Sequence, residues 1–325
     1  MEDTIIALGK KVLSGQSISP EEALSLTEIA AIDVPLLAAY ANKIRDHFAG
    51  NSVELCGVIN ARSGQCSEDC KFCSQSVYYE TNSPVYELLD KEEIVAKALE
   101  IATHGAKRTS LVTSGKGMEN DPDFPALVTL LKETGRATGL AVCANLGTLG
   151  ENEAKALKTA GIRRYAHNIE TSERFYPSIC TTHPYTERIA TIKAAKAAGL
   201  ELCTGGIIGL GESWEDRIAM AFTLKELDVD SVPLNILNPI PGTALADQAP
   251  LAPLEILQTF ALFRFILPDK VIRPAGGREV NLRDLQGALL IGGANGLIIG
   301  NYLTFTGRNT SMDLQLVTDA GLTAK

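Results

Sequence analysis

The chain has 325 residues, 45% hydrophobic and 21% charged, enough for one large domain with a substantial core or two ordinary ones. Its formal charge of −9 argues against a general nucleic-acid or acidic-membrane role. No apolar run reaches transmembrane length, and the acidic start Met1-Glu-Asp-Thr-Ile-Ile lacks the basic flank and apolar core of a signal peptide. Seven cysteines in a chain read as cytoplasmic predict reduced thiols and metal binding.

Residues 1–50 read as helices, an N-terminal helical extension acting as a plug or lid ahead of a main domain over 51–325. Ser19-Pro20-Glu21-Glu22 is a helix start, with Ser capping and Pro in the first turn. Leu36, Leu37, Tyr40 and Ala41 then recur at helical spacing. From residue 53 short apolar strands alternate with longer amphipathic helices. Strands are predicted at 53–60, 109–113, 140–145, 164–169, 201–208, 231–237, 271–273 and 296–299. Helices are predicted at 92–104, 123–137, 151–160, 186–198, 214–226 and 254–266. The alternation calls for a parallel sheet with helices outside it. Eight strands over this length fit a (β/α)8 TIM-type barrel, with an open doubly wound sheet as the alternative.

Between the first strand and the first long helix lies Asn60-Ala-Arg-Ser-Gly-Gln-Cys66-Ser-Glu-Asp-Cys70-Lys-Phe-Cys73. Three soft, anionic thiolates at C-x3-C-x2-C suit an iron–sulfur cluster. Structural zinc wants four ligands, commonly two pairs, and no second pair is near. A redox dithiol would leave Cys66 over, and a disulfide cannot use three cysteines evenly. Three ligands on a four-iron cluster leave one iron open for chemistry, as catalytic zinc sites keep an open position.

In a barrel, active-site residues gather at the C-terminal ends of the strands. The cysteine loop follows the first strand, and Thr113-Ser114-Gly115-Lys116 follows the second. Asn168 and Glu170 end the fourth. Gly205-Gly206 lies within the fifth, where missing side chains would let a ligand approach the backbone, and Asn235 lies on the sixth. Cys56, Cys143 and Cys203 fall on the first, third and fifth strands, and Arg273 on the seventh. Alternate strands fill one interior layer of a barrel, so these four could share a layer. A buried Arg needs an anionic partner, which a thiolate-ligated cluster would supply. The competing reading of each cysteine is a small hydrophobe in the core. Cys180, in Phe175-Tyr-Pro-Ser-Ile-Cys180-Thr-Thr-His183, reads as a structural loop residue.

The three-cysteine loop resembles that of the radical S-adenosylmethionine (SAM) enzymes. Over roughly residues 50–320 the chain resembles the biotin synthase family within them. The stretches that carry this likeness are 59–76, Leu146-Gly-Thr-Leu, His167-Asn168-Ile-Glu170-Thr-Ser, Thr186-Glu-Arg188, Cys203-Thr-Gly-Gly, Ser231-Val-Pro-Leu-Asn235, Asn238-Pro-Ile-Pro-Gly-Thr, Arg273-Pro-Ala-Gly-Gly-Arg-Glu and Gly293-Ala-Asn-Gly. The resemblance implies a (β/α)8 barrel, a homodimer, and sulfur insertion into dethiobiotin with a reductant such as flavodoxin or ferredoxin. It implies a [4Fe-4S] cluster on Cys66, Cys70 and Cys73, with Phe72 along the SAM adenine and Ser114 and Gly115 at the methionine amino group. Glu170, where the family usually has Asp, would meet the ribose, and Arg188 would assist at the carboxylate. Asn168 and Asn235 would meet the dethiobiotin ureido ring. Cys143, Cys203 and Arg273 match ligands of the family's second, sulfur-donating cluster.

Two departures bear on that second cluster. Ser110 stands where the family usually has its fourth ligand, a Cys, and the first strand offers Cys56 instead. Both the common [2Fe-2S] cluster and a four-iron cluster on Cys56, Cys143 and Cys203 stay open, with Arg273 as ligand or counter-cation. Ala166 replaces a common Asn. The rival functions are another radical SAM enzyme of hydrogenase-maturation type and a non-catalytic iron–sulfur carrier; a carrier would have no use for Asn168, Glu170 and Arg188.

Overall fold

Each apolar stretch that the sequence marks as a strand enters one parallel sheet. The computed structural model describes residues 1–119 and 121–325. Its strands are β1 (Ser52–Arg62), β2 (Arg108–Thr113), β3 (Ala141–Asn145), β4 (Arg164–Ala166), β5 (Glu201–Cys203), β6 (Gly206–Ile208), β7 (Ser231–Ile236), β8 (Val271–Pro274), β9 (Gly296–Ile299) and β10 (Thr323–Ala324). Between them run α4 (Lys91–Thr103), α5 (Phe124–Thr138), α6 (Glu151–Thr159), α7 (Tyr185–Ala197), α8 (Trp214–Glu226) and α9 (Pro253–Ile266). Local signals set their ends: Ser213 and Asp216 form a capping box at the start of α8, and Gly139 ends α5 in the left-handed conformation.

β1 pairs with both β2 and β9, and the ladder continues through β3, β4, β5, β7 and β8, all parallel. Among the described residues no ladder joins β8 to β9. Asn295 closes that seam with its own amide groups. Its backbone N–H donates to Ile272 O at 3.0 Å, and its Oδ1 accepts from Ile272 N at 2.8 Å and from Arg264 Nη2 at 2.7 Å. The result is the (β/α)8 TIM-type barrel that the sequence predicts.

Three differences from the sequence reading stand out. The stretch 201–208 is not one strand. β5 and β6 are separated at Thr204-Gly205, where a Cβ on Gly205 would lie 1.9 Å from Pro233 O. Gly205-Gly206 therefore admits neighbouring chain, Pro233 on one side and Glu170 and Met220 on the other, and not a ligand. The stretch 278–291 forms two short helices, α10 (Arg278–Leu282) and α11 (Gln286–Ile291), followed later by α12 (Thr310–Asp319) and β10. The helices of residues 1–50 are α1 (Glu2–Leu13), α2 (Pro20–Ser25) and α3 (Val34–Ala49). They form neither plug nor lid over the site. Their apolar faces, Ile5, Leu8 and Val12 on α1 and Leu37, Ala41 and Ile44 on α3, are buried among one another and against α9. Gln258 Nε2 of α9 donates to Leu26 O at 2.9 Å.

Successive inward side chains along a strand lie two residues apart, and here they stack in tiers. At the N-terminal end Glu54 meets Arg164 and Arg273. Neither β4 nor β8 pairs with β1, so these contacts cross the interior. Two residues further on come Cys56, Ser110 and Cys143, and two further still Val112 and Asn145, which reach the cavity at the C-terminal mouth. Asn295→Ala would leave Ile272 N and one arm of Arg264 unpaired in the core, a loss of about 2–3 kcal/mol. Urea unfolding of the cluster-free chain measures this, and a loss below about 0.5 kcal/mol would show that the seam needs no such closure.

Candidate active site

The loop after β1 is closed on itself by backbone bonds. Cys66 N donates to Gln75 O at 3.0 Å, Val77 N to Cys66 O at 2.9 Å, and Cys73 N to Cys70 O at 2.9 Å. Gly64 and Gln65 turn the chain through positive φ, +79° and +52°. Gln75 Oε1 accepts from Gly64 N at 3.2 Å and from Ser63 Oγ at 3.0 Å, which steadies that turn. Asp69 clamps the loop to the segment after β4, accepting from Thr181 N at 2.8 Å and Thr182 N at 3.2 Å. Burial works against the Asp69 carboxylate, but the Thr181 and Thr182 donors outweigh it and hold its pKa well below the usual range.

Cys66, Cys70 and Cys73 face one cavity of about 350 Å3 at the C-terminal mouth of the barrel. All seven cysteines are free thiols. The donor set suits iron: three thiols on one constrained loop, at the wall of a space with room for a ligand. Burial pushes the Cys73 thiol up to about 11, so metal must displace its proton.

The same cavity gathers Phe72, Ser114, Gly115, Asn168, Glu170, Arg188 and Asn235. Arg62 holds the turn after β2, donating to Ser114 O from Nε at 3.2 Å and Nη2 at 3.0 Å. Asn168 Oδ1 accepts from Gly205 N at 3.1 Å, and its Nδ2 lies 3.4 Å from Glu170 Oε2. Asn235 Oδ1 accepts from Gly276 N at 2.9 Å, and its Nδ2 donates to Gly206 O at 3.3 Å. Glu170 sits at φ +67°, an unusual conformation for a residue with a Cβ. Arg188 is tethered by Asn168 O at 3.0 Å and Tyr176 Oη at 2.7 Å, with Glu170 Oε1 at 3.5 Å. Burial raises the Glu170 carboxyl above the ordinary range against the pull of Arg188, and holds His167 neutral. Among the described residues, Thr113 Oγ1 and His167 Nε2 have no hydrogen-bond partner, and both residues line the cavity. Buried polar atoms left open at a cavity fit a polar ligand such as SAM.

One tier below, Cys56, Cys143, Cys203 and Arg273 share the interior, close enough to act on one another's charge. Burial pushes the Cys143 thiol up to about 12 and raises Cys56 as well. Ser110 joins them, its Oγ buried without a partner among the described residues. The anion facing Arg273 is a protein carboxylate: Nη2 meets Glu54 Oε1, and Nε donates to Ser231 Oγ at 3.2 Å. The expected anionic partner of Arg273 is thus present as Glu54 in the protein itself.

Sequence reading missed the partners of these groups. Cys180 lies in a loop, buried, as read from the sequence, and its contacts are specific: Cys70 Sγ donates to its Sγ at 3.7 Å, and His183 Nδ1 lies 3.4 Å from it. The Cys70 contact, then His183, pulls the Cys180 pKa down. Glu68 Oε2 touches His183 Nδ1. Glu68 sits inside the three-cysteine motif but His183 is 115 positions away, so spacing alone does not pair them.

Residues 62–224 match the family model of the radical SAM superfamily, and residues 233–323 that of the Biotin and Thiamin Synthesis associated domain. The fold is similar to that of methylornithine synthase, with a TM-score of 0.85 at 21% identity, covering 98% of this chain and 97% of that one. It is similar also to an FeFe-hydrogenase maturase from Carboxydothermus hydrogenoformans, with a TM-score of 0.83 at 19% identity, covering 99% of this chain and 79% of that one. A parallel barrel with three thiols on the loop after its first strand, matched to that superfamily, defines a radical SAM enzyme, which works with a [4Fe-4S] cluster and SAM. In sequence the chain is 52% identical over 323 residues to biotin synthase of Carboxydothermus hydrogenoformans, 99% of each being covered. It is 51% identical over 315 residues to that of Pelotomaculum thermopropionicum, covering 97% of this chain and 98% of the relative. The chain belongs to the biotin synthase family.

The raised pKa of Glu170 has a consequence for stability. Such a carboxyl costs stability as pH rises above its unfolded value of about 4.3, because the folded state resists its ionisation. Glu170→Gln is expected to stabilise the ligand-free chain at neutral pH and to lose that advantage below about pH 4. Urea unfolding at both pH values checks this. A variant weaker than the parent at neutral pH would mean that Arg188's need for an anion outweighs burial.

Proposed function

We propose that the chain inserts sulfur between two unactivated carbons of dethiobiotin to form biotin, with Cys66, Cys70 and Cys73 holding the four-iron cluster. The observation that carries this reading is the stacking of the interior: one cavity holds the three-thiol loop and the polar set, and a tier of three further thiols lies beneath it. When bound, the first cluster and SAM supply a 5′-deoxyadenosyl radical, and the second cluster supplies sulfur. The chain's own residues bind and orient. Ser114 and Gly115 take the methionine amino end of SAM and Arg188 assists at its carboxylate, while Glu170 takes the ribose and Phe72 lies along the adenine. Asn168 and Asn235, each fixed by a backbone N–H, present amides to the ureido ring of dethiobiotin. The apolar walls keep water from a reactive carbon.

We assign the second cluster to Cys56, Cys143 and Cys203, as a four-iron cluster in place of the family's common [2Fe-2S] type. A hydroxyl is a weaker ligand for iron than a thiolate, which leaves Ser110 outside the set. Arg273 acts as counter-cation: a protonated guanidinium has no lone pair for iron, and the Glu54 contact favours the protonated form. A flavodoxin or ferredoxin as reductant, a homodimeric state and a cytoplasmic setting complete the proposal. The free thiols agree with a reducing compartment, and no helix among the described residues is long and apolar enough to cross a membrane.

Anaerobic incubation with SAM, a low-potential reductant and dethiobiotin tests the reaction. Biotin and 5′-deoxyadenosine are both expected, and 5′-deoxyadenosine without any stimulation by dethiobiotin would remove the substrate assignment. Replacing Cys66, Cys70 or Cys73 by Ala should abolish 5′-deoxyadenosine formation altogether. Cys56→Ser should lose the second cluster and biotin formation yet keep SAM cleavage. Iron counting with Mössbauer spectra reads this directly, and an unchanged second cluster would return Cys56 to the role of core filler.

A further inference from the structure

Cys70 of the three-cysteine loop also belongs to a buried group of ligand-type side chains whose other members, Cys180 and His183, have no role assigned above. Cys180 Sγ is 3.7 Å from Cys70 Sγ and 3.4 Å from His183 Nδ1. The three donor atoms lie within 4.8 Å of one another, and all three residues are buried. Thiolate and imidazole ligands at about 2.0–2.3 Å from a tetrahedral ion stand about 3.4–3.8 Å apart. The two contacts of Cys180 already have that length.

The other ring nitrogen is occupied in the way a metal-bound histidine requires. His183 Nε2 lies 2.7 Å from Tyr176 Oη. That oxygen also accepts from Arg188 Nε at 2.7 Å, and its second lone pair can take the Nε2 proton. When a cation displaces the Nδ1 proton, the remaining proton sits on Nε2 toward Tyr176, and Nδ1 offers its lone pair beside the two sulfurs. Glu68 Oε2 touches the same Nδ1, so in the metal-free chain that nitrogen shares a proton with a carboxylate, and a cation binding there takes the proton's place. Thr182 Oγ1 donates to that oxygen at 2.7 Å and steadies it. Two sulfurs and one imidazole suit a borderline divalent ion, with a fourth position left to solvent.

We propose that, in the chain without its four-iron cluster, Cys70, Cys180 and His183 bind one divalent cation of the zinc or ferrous class, and that this ion and the cluster exclude each other. The exclusion rests on the assignment of Cys70 to the cluster, whereas the cation site does not. Binding displaces thiol protons to solvent and moves no electrons. Thiolate donors and a tetrahedral arrangement favour zinc at such a site. A chain that meets zinc before iron is then kept from its cluster, while one that meets ferrous iron holds the metal beside the loop that will use it.

Anaerobic titration of the full-length, cluster-free protein with cobalt(II) tests the site. The first equivalent should give the strong visible bands of tetrahedral, thiolate-bound cobalt. Cys180→Ser and His183→Gln should each weaken that binding about tenfold or more, and Cys66→Ser and Cys143→Ser should leave it unchanged. Bands that vanish in Cys66→Ser but survive in Cys180→Ser place the ion in the three-cysteine loop; bands that vanish in Cys143→Ser place it in the barrel interior. Either result, or no tetrahedral spectrum at all, overturns the proposal. If Cys180→Ser does not fold, His183→Gln carries the same comparison. One equivalent of zinc added before iron and sulfide should lower the iron taken up at the four-iron site in the parent and spare Cys180→Ser. Equal loss in both would refute the exclusion and leave the cation site to the cobalt result.

Discussion

The carboxylate of Glu54 is the point on which the barrel interior turns. Burial works against its charge, yet Arg273, Arg164 and Arg108 overcome that cost and hold its pKa down to about 2. Arg164 Nη1 lies 2.8 Å and Arg108 Nε 3.1 Å from its oxygens, and Arg273 Nη2 meets it as well. Glu201 on β5 takes the other arms of Arg164 at 3.0 Å and Arg108 at 3.1 Å. Such a network adds little net stability over an apolar core, but loss of one partner strands the others, at about 3–5 kcal/mol. Its value is geometric. It ties β1, β2, β4, β5 and β8 at one level, and so fixes the height at which each later inward residue of those strands sits.

Polar satisfaction changes along the barrel axis. At the floor, charges answer charges. At the seam, Asn295 and Arg264 satisfy one another and the backbone; Arg264 also reaches Gly293 O at 2.8 Å and Lys270 O at 2.8 Å. At the mouth, Thr113 Oγ1 and His167 Nε2 are left open. Both residues line the cavity, so their open atoms face the space where a ligand would sit. Asn168 and Asn235 belong to the same pattern: each spends its Oδ1 on a backbone N–H and is thereby held in one orientation, which is preorganisation in the ordinary physical sense.

Much of this was legible in the sequence, because strand and helix periods are local properties. β1, β2, β3 and β9 fall within one or two residues of their predicted bounds, where runs of Val, Ile, Leu and Thr leave little choice. The misreadings occur where distant contacts decide. Gly205 looked like a ligand approach, but the chain it admits is Pro233, 28 positions on by subtraction of the two residue numbers. The short helices after Arg278 are held by the buried pair of Arg278 and Asp313, 2.7 Å apart, which no local pattern shows. The cysteine loop was plain from spacing alone, whereas Cys180, His183 and Glu68 meet only through tertiary folding. The first helices carry a clear apolar face, but nothing in that face says whether it covers the mouth or, as here, the outer helices.

The ionic floor also bears on traffic. Arg164 and Arg273 are 5% and 2% exposed, so the N-terminal end of the barrel is stoppered with side chain. Cys56 and Cys143 lie inside that stopper, 8% and 3% exposed. With dethiobiotin in the cavity as proposed, whatever reaches the interior thiols from the mouth descends past the same loop. A vessel with one opening cannot be refilled while its contents occupy the neck. Departure of one guest and delivery of the next through that mouth would then be successive events.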